Sequence, residues 1–213
     1  LADRLAGKFR PDGKFVADIQ KARSAAEGTM RGALGPYNDV LDAVLENVPR
    51  DFVWVRDITL SNTIWGNRLP PLDGPHDGVH ALGGGIGQGL PMGIGAALAV
   101  QDDGRKTLVL TGDGGFAVTL GELATAKQEN ADIVILLMND GGYGVIKNIS
   151  DAVYGGRRQY SDILGPDWAM LCDSLDIPYW GIDDAKDLST ILKVAIDSDG
   201  PKLIEIDMKS IGD

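Results

Sequence analysis

Two short apolar runs each end in a carboxylate set among glycines. Thr107-Leu-Val-Leu-Thr111 leads into Gly112-Asp113-Gly114-Gly115, and Ile133-Val-Ile-Leu-Leu-Met138 leads into Asn139-Asp140-Gly141-Gly142-Tyr143-Gly144. Runs this short and this uniformly apolar read as strands buried on both faces, the pattern of a parallel sheet. Between Gly114 and Asn139 lie 24 residues, which is room for one crossover helix, on Leu120, Leu123, Ala124 and Lys127, and one strand. Parallel neighbours joined in this way bring both loops to the same sheet edge, beyond the carboxyl ends of the strands, where such sheets hold ligands. The expected fold is α/β, a parallel sheet sandwiched by helices.

The rest of the chain fits that pattern. Phe52–Val55 reads as a strand and Lys202–Ile206 as a closing one. Val40, Leu41, Val44 and Leu45 read as a helix capped by Asn38 or Asp39. Leu90, Ile94 and Leu98 recur at helical spacing, with Pro91 in a first turn. Helices are also expected over Asp167–Ser174 and Leu188–Ile196, and another is expected to begin near Val118. Residues 1–35 are mixed and charged, with a short helix around Phe15–Ala26, and read as a connecting segment from a preceding domain. Residues 36–213 read as one domain. The opening Leu1-Ala2-Asp3, without an initiator Met, reads as a piece of a longer or processed chain.

A net charge of -11 from 20 basic and 31 acidic residues argues against nucleic acid and against anionic membrane surfaces. No stretch approaches the roughly 20 apolar residues of a membrane span. The single cysteine, Cys172, rules out an internal disulfide framework, fits a reducing cytoplasm, and reads as an inert packed thiol. Glycine is abundant, at 29 residues, seven of them between Gly83 and Gly95. Glycine clustered at strand-to-helix turns points to backbone approaching a ligand.

Asp-Gly alone is a common turn, but the paired loops say more. Two carboxylates and a backbone carbonyl at one sheet edge suit a hard cation such as Mg²⁺, which takes its other ligands from phosphate oxygens and water. Gly83–Gly89 does not fit a dinucleotide-binding glycine pattern in register, and no Gly-Lys-Ser/Thr element is present.

Gly112-Asp113-Gly114 followed by Asn139-Asp140 resembles the signature of thiamine-diphosphate enzymes. Gly83-Gly-Gly-Ile-Gly-Gln-Gly-Leu-Pro91 with Gly93-Ile-Gly-Ala-Ala97 is similar to the segment before that signature in acetolactate synthase and benzoylformate decarboxylase relatives. Gly200-Pro-Lys-Leu-Ile-Glu-Ile206 resembles their closing strand. The resemblance runs from about Pro36 to Met208 and implies the thiamine-diphosphate-binding fold, in its diphosphate-binding (C-terminal) domain. It implies that Asp113 and Asp140 hold Mg²⁺ through their side chains and Gly142 through its carbonyl. Asp140 stands where the family usually has asparagine, a change that bears on metal preference. By the same resemblance Gly112 opens the diphosphate loop, and Gly114 and Gly115 offer amides to the diphosphate.

Ile86 matches the bulky residue that bends the cofactor into a V, and Gly84 the carbonyl that accepts from its 4'-amino group. Each also reads as an ordinary core or turn residue. Asp57, Thr59, Ser61 and Asn62 fall where relatives place polar residues against the diphosphate, with the register open by one or two positions. Tyr143, Gly144 and Val145 follow the metal loop and are expected to touch cofactor or substrate, or to pack the helix that begins there. His80 precedes the glycine cluster and faces substrate or serves structure. Lys147, Arg157 and Arg158 are candidates for a substrate carboxylate, or surface charges.

The family's activating glutamate belongs to a pyrimidine-binding domain that these residues do not contain. The resemblance therefore implies half of an active site, inactive alone and completed by that domain from the same full-length chain or a separate subunit. A homodimer or homotetramer is implied, and the small residues Gly93, Ala96 and Ala97 serve that interface or their own sheet. The implied substrate is a small 2-oxo acid, attacked at its carbonyl and decarboxylated, then protonated or added to a second carbonyl. Ile146 is apolar where pyruvate decarboxylase relatives carry an acid, and Lys147-Asn-Ile-Ser150 departs from the Gln-Trp-Glu element of acetolactate synthases. The reading is acetolactate-synthase-like carboligation. A benzoylformate-type decarboxylase is the alternative, and a non-catalytic cofactor-binding or assembly domain is the alternative of another class.

Overall fold

The computed structural model describes Gly7 and residues 12–212. The chain divides into two compact units, residues 1–35 and 36–213. The first holds helix α1 (Gly13–Gly32), which is longer than the expected Phe15–Ala26 because Asp12 caps it by accepting from the Lys14 amide at 3.0 Å. None of its residues is buried.

The second unit is built on one parallel sheet. Strands β1 (Val53–Arg56), β2 (Gly78–His80), β3 (Thr107–Gly112), β4 (Ile133–Asn139), β5 (Tyr179–Ile182) and β6 (Lys202–Asp207) lie in the order β2-β1-β3-β4-β6-β5. The interior strands β3 and β4 are the two expected apolar runs, and all six residues of β3 are buried. The edge strands β2 and β5 were not legible as strands. They are three and four residues long and only partly buried, too short to display a period.

Helices cover both faces. α2 (Tyr37–Asn47) and α8 (Ala185–Asp197) pack together on one, joined where Asn47 donates to Ser189 Oγ at 2.8 Å. α3 (Gly89–Val100), α4 (Asp113–Thr119), α5 (Glu122–Gln128) and α7 (Trp168–Ser174) meet the residues Val53, Val55, Val109, Ile133, Ile135 and Leu137. α6 (Gly144–Tyr154) and α9 (Met208–Gly212) complete the set among the described residues. Trp168 packs on Phe116, with ring centroids 5.4 Å apart, and Cys172 is fully buried beside them, its thiol pushed up to about 11 chiefly by burial. That agrees with an inert packed side chain.

Four local expectations are corrected. α2 begins after Pro36 with no side-chain cap, so Asn38 and Asp39 lie inside its first turn. The helix after Gly112 begins at Asp113, not near Val118, which makes the carboxylate part of the helix start. α3 turns Leu90, Gly93, Ile94 and Ala97 into its own domain and leaves Leu98 exposed. A Cβ at Gly93 would collide with Val109 of β3, so Gly93 serves close helix-to-sheet packing. Asp167 caps α7, accepting from the Met170 amide at 2.9 Å, instead of entering it.

Chain order and sheet order together place the site. From β1 the chain moves outward to β2, and β3 then returns to the opposite side of β1. The loops after β1 and β3 therefore part in opposite directions and leave a crevice at the carboxyl edge of the sheet, the usual ligand position in open α/β folds.

Candidate functional site

The crevice is a cleft of about 750 Å³, counting its open mouth. Its floor is the end of β3 and the start of α4: Gly112, Asp113, Gly114 and Gly115. Asp140, Gly142, Tyr143, Gly144 and Val145 form one wall. Gly84 and Ile86 come from the glycine-rich loop. These eleven residues are brought together as the sequence predicts. The parallel register explains the carboxylate pair, because Gly112 lies opposite Met138, so Asp113 and the Asn139-Asp140 turn leave neighbouring strands side by side.

Four expected residues do not line the cleft. His80 is the exposed last residue of the edge strand β2. Ser61 and Asn62 are buried in and beside the π-helical turn Asn62–Gly66. Thr59, expected with them, does line the cleft, and the turn adds Thr63. The two threonines are stacked by the Thr63 amide and hydroxyl, which each reach the Thr59 carbonyl at 3.1 Å. The spacing of four from Thr59 was the signal available for Thr63.

Asp57 is the fourth, and its role is different. It is 1% exposed. Its Oδ2 accepts from the Gly87 amide at 3.1 Å, the Gly89 amide at 3.0 Å and the Thr111 hydroxyl at 3.3 Å, while its Oδ1 accepts from the Ile58 amide at 2.7 Å. With these donors its carboxylate ties the glycine-rich loop to the end of β3. A Cβ on Gly115 would stand 3.0 Å from Asp57 Oδ2 and 3.3 Å from the Gly87 nitrogen, so the loop, the tether and the helix start form one close-packed assembly. Gly84, at φ 73°, adopts a turn that an L side chain would strain.

The paired carboxylates carry the electrostatics. Asp113 is 4% exposed. Burial, and then the neighbouring Asp140 carboxylate, push it up to about 6, against the pull of amides of Gly114, Gly142 and Asp140. Burial also raises Asp140, opposed by Lys147 and by a hydrogen bond with Asp113. Asp140 Oδ1 is buried without a hydrogen-bond partner among the described residues. Two carboxylates forced together, one with an orphaned oxygen, are what a divalent cation relieves. No group of three or more His, Cys, Asp or Glu side chains able to hold a metal occurs among the described residues. The donor set therefore fits Mg²⁺ with phosphate and water ligands and does not fit a zinc cage.

Lys147 is largely buried in contacts with its own loop. Its Nζ donates to the Gly141 carbonyl at 3.2 Å and the Asp140 carbonyl at 3.4 Å, and pairs with Asp162 at 3.1 Å. It clamps the Asp140–Gly141 loop. Arg158 is paired with Asp151. A Cβ on Gly114 would lie 2.7 Å from the Tyr143 ring and 2.9 Å from Ile163. Gly114→Ala is accordingly expected to cost about 1–3 kcal/mol of stability, as overpacking does. It should also weaken cofactor binding at least about tenfold by displacing the helix start. Urea unfolding and calorimetric titration check the two effects.

The family model for thiamine pyrophosphate enzyme, C-terminal TPP binding domain, matches residues 61–206. A probable 2-ketoarginine decarboxylase of Pseudomonas aeruginosa is 31% identical over 211 residues, covering 97% of this chain and 36% of that protein. The acetolactate synthase isozyme 1 large subunit of Escherichia coli is 28% identical, covering 91% of this chain and 34% of that protein. The structure of a thiamine diphosphate-dependent 4-hydroxybenzoylformate decarboxylase of Rhodococcus jostii superposes with a TM-score of 0.73 at 28% identity, over 81% of this chain and 32% of that one. The chain thus spans about a third of the length of these proteins.

Proposed function

The chain belongs to the thiamine pyrophosphate enzymes, as their C-terminal TPP binding domain, and from that premise we propose that it holds the diphosphate and Mg²⁺ in an enzyme acting on small 2-oxo acids by decarboxylation followed by carboligation. The observation that carries the reading is the Asp113–Asp140 pair, with its unpartnered Asp140 oxygen, at the base of a cleft that also contains Ile86.

When bound, thiamine diphosphate supplies a carbon nucleophile for the carbonyl of a 2-oxo acid. Asp113, Asp140 and the Gly142 carbonyl would hold the cation. The amides of Gly114 and Gly115, in the first turn of α4, and the hydroxyls of Thr59 and Thr63 would bind the diphosphate. Ile86 would support the cofactor's bent shape, and the Gly84 carbonyl would accept from its amino group. The activating glutamate comes from a pyrimidine-binding domain of the full-length chain or of a second subunit, in a homodimer or homotetramer. A single buried cysteine and a net charge of -11 suit a cytoplasmic enzyme that binds neither nucleic acid nor membrane. Among the described residues, no helix is long and apolar enough to cross a membrane.

The titratable side chains lining the cleft are Asp113, Asp140 and Tyr143, and Ile146 occupies the position of an acid in pyruvate decarboxylase relatives. An apolar Ile146 in place of that acid disfavours that route of protonation and so favours addition to a second carbonyl. A second reading, benzoylformate-type decarboxylation, is favoured by the apolar lining of Ile58, Leu60, Ile86, Val145 and Ile146, which suits an apolar substrate side chain. The test is product analysis with the full-length protein, Mg²⁺ and thiamine diphosphate. Pyruvate, pyruvate with 2-oxobutyrate, benzoylformate and 2-ketoarginine are supplied in turn. Ketol formation with CO₂ release is expected. Aldehyde without ketol moves the assignment to the second reading, and bound cofactor without turnover of any 2-oxo acid leaves the non-catalytic role.

A further inference from the structure

The metal loop is held from behind by a chain of hydrogen bonds that crosses three strands. Tyr179 of β5 donates its hydroxyl to Glu205 Oε2 at 2.5 Å. Glu205 of β6 accepts with Oε1 from Asn139 Nδ2 at 2.6 Å. Asn139, the last residue of β4, accepts with Oδ1 from the Gly141 amide at 3.0 Å. Asp140 therefore sits between two pinned points, the Asn139 side chain and the Gly141 amide. Gly141 holds φ at 67°, a turn kept in shape by that Asn139 contact. With Lys147 holding the carbonyls of Asp140 and Gly141, the Asp140 carboxylate and the Gly142 carbonyl are the loop oxygens left for a cation. A polar cavity bounded by Asp113, Asn139, Gly141, Tyr179 and Glu205 lies along this chain of bonds.

We propose that Glu205, acting through Asn139, is a positioning residue that sets the metal loop for its cation. The inference rests on the reading of the cleft as a Mg²⁺–diphosphate site and deepens it. The chemistry of the amide explains the arrangement. Both Glu205 carboxyl oxygens accept, Oε2 from Tyr179 and Oε1 from Asn139, so the Asn139 NH₂ faces β6 and its oxygen faces the Gly141 amide. Asn139 at the strand end thereby orients the loop without touching the cation, the arrangement by which outer partners tune metal ligands.

The test is Mg²⁺ titration of the full-length protein at saturating thiamine diphosphate, with the melting temperature of the apo-protein measured alongside. Asn139→Ala is expected to weaken Mg²⁺ binding about 10- to 100-fold, and Glu205→Ala about tenfold. The double variant should be no weaker than Asn139→Ala alone, because one residue acts through the other. Glu205→Gln keeps an acceptor for Asn139 Nδ2 and should stay within about threefold of wild type. Wild-type Mg²⁺ affinity in Glu205→Ala, or a full additive loss in the double variant, overturns the proposal. Should Glu205→Ala not fold, Tyr179→Phe replaces it, with a weakening of about threefold expected and unchanged affinity overturning the idea. A wild type that binds neither Mg²⁺ nor thiamine diphosphate removes the reading of the cleft, and the proposal with it.

Discussion

Asp113→Ala is expected to abolish Mg²⁺-dependent binding of thiamine diphosphate, with an affinity loss of at least about 100-fold, since changing even an outer partner of a metal ligand costs 10- to 100-fold. Asp113 supplies one of only two carboxylates lining the cleft, and the remaining Asp140 cannot bridge cation and protein alone. Stability should move differently. Burial and Asp140 disfavour the charged Asp113 in the folded chain, so the empty site is a strained one. Asp113→Asn keeps the side chain's shape and removes the repulsion. The apo-protein carrying it should melt at or above the wild-type temperature while still binding Mg²⁺ and cofactor more weakly. Such a trade of stability for function is common at binding sites. Calorimetric titration and thermal unfolding on the same preparations separate the two effects. Unchanged cofactor affinity in Asp113→Ala removes the metal assignment.

The second large effect belongs to Asp57→Ala. Its carboxylate satisfies the buried amides of Gly87 and Gly89, the amide of Ile58 and the Thr111 hydroxyl. Each donor left unpaired in a buried site costs about 1–3 kcal/mol. The expected loss is about 3–5 kcal/mol in urea unfolding, at the high end for a single substitution. The loop bearing Gly84 and Ile86 would also lose its anchor, so cofactor affinity should fall although Asp57 does not line the cleft. Asp57→Asn keeps two acceptor lone pairs on one oxygen and should recover part of both losses. A loss of stability below about 1 kcal/mol in Asp57→Ala would show that the tether is not what holds the loop.

The contrast between Asp57 and Asp113 shows what the sequence could disclose. Both carboxylates follow strands and both sit near glycines. Asp113 was legible because a second carboxylate, Asp140, follows the neighbouring strand at a spacing that a parallel crossover explains. Asp57 lacks a paired motif, and its partners are backbone amides 30 and 32 residues away, which no local pattern announces. The interior strands were legible because burial on both faces leaves them uniformly apolar. The edge strands β2 and β5 were not, since pairing on one side asks little of the side chains. The helix at Asp113 was placed too late because Gly114 and Gly115 are poor helix formers. They are there because a Cβ at either position meets Tyr143 or Asp57. His80, which its place before the glycine cluster left open between substrate and structure, lies exposed at the end of the edge strand and outside the cleft lining. Lys147 looked like a free charge because its partners are the carbonyls of its own loop, and carbonyls are invisible in a sequence.

In the proposed function this cleft holds thiamine diphosphate through a divalent cation. The direct test is to purify the full-length protein without added cofactor, denature it, and identify the released small molecule and metal, with reconstitution in Mg²⁺ and in EDTA for comparison. Thiamine diphosphate and one divalent cation per chain are expected, with rebinding in Mg²⁺ and none in EDTA. Recovery of ATP or NAD in its place, or equal rebinding in EDTA, would contradict it.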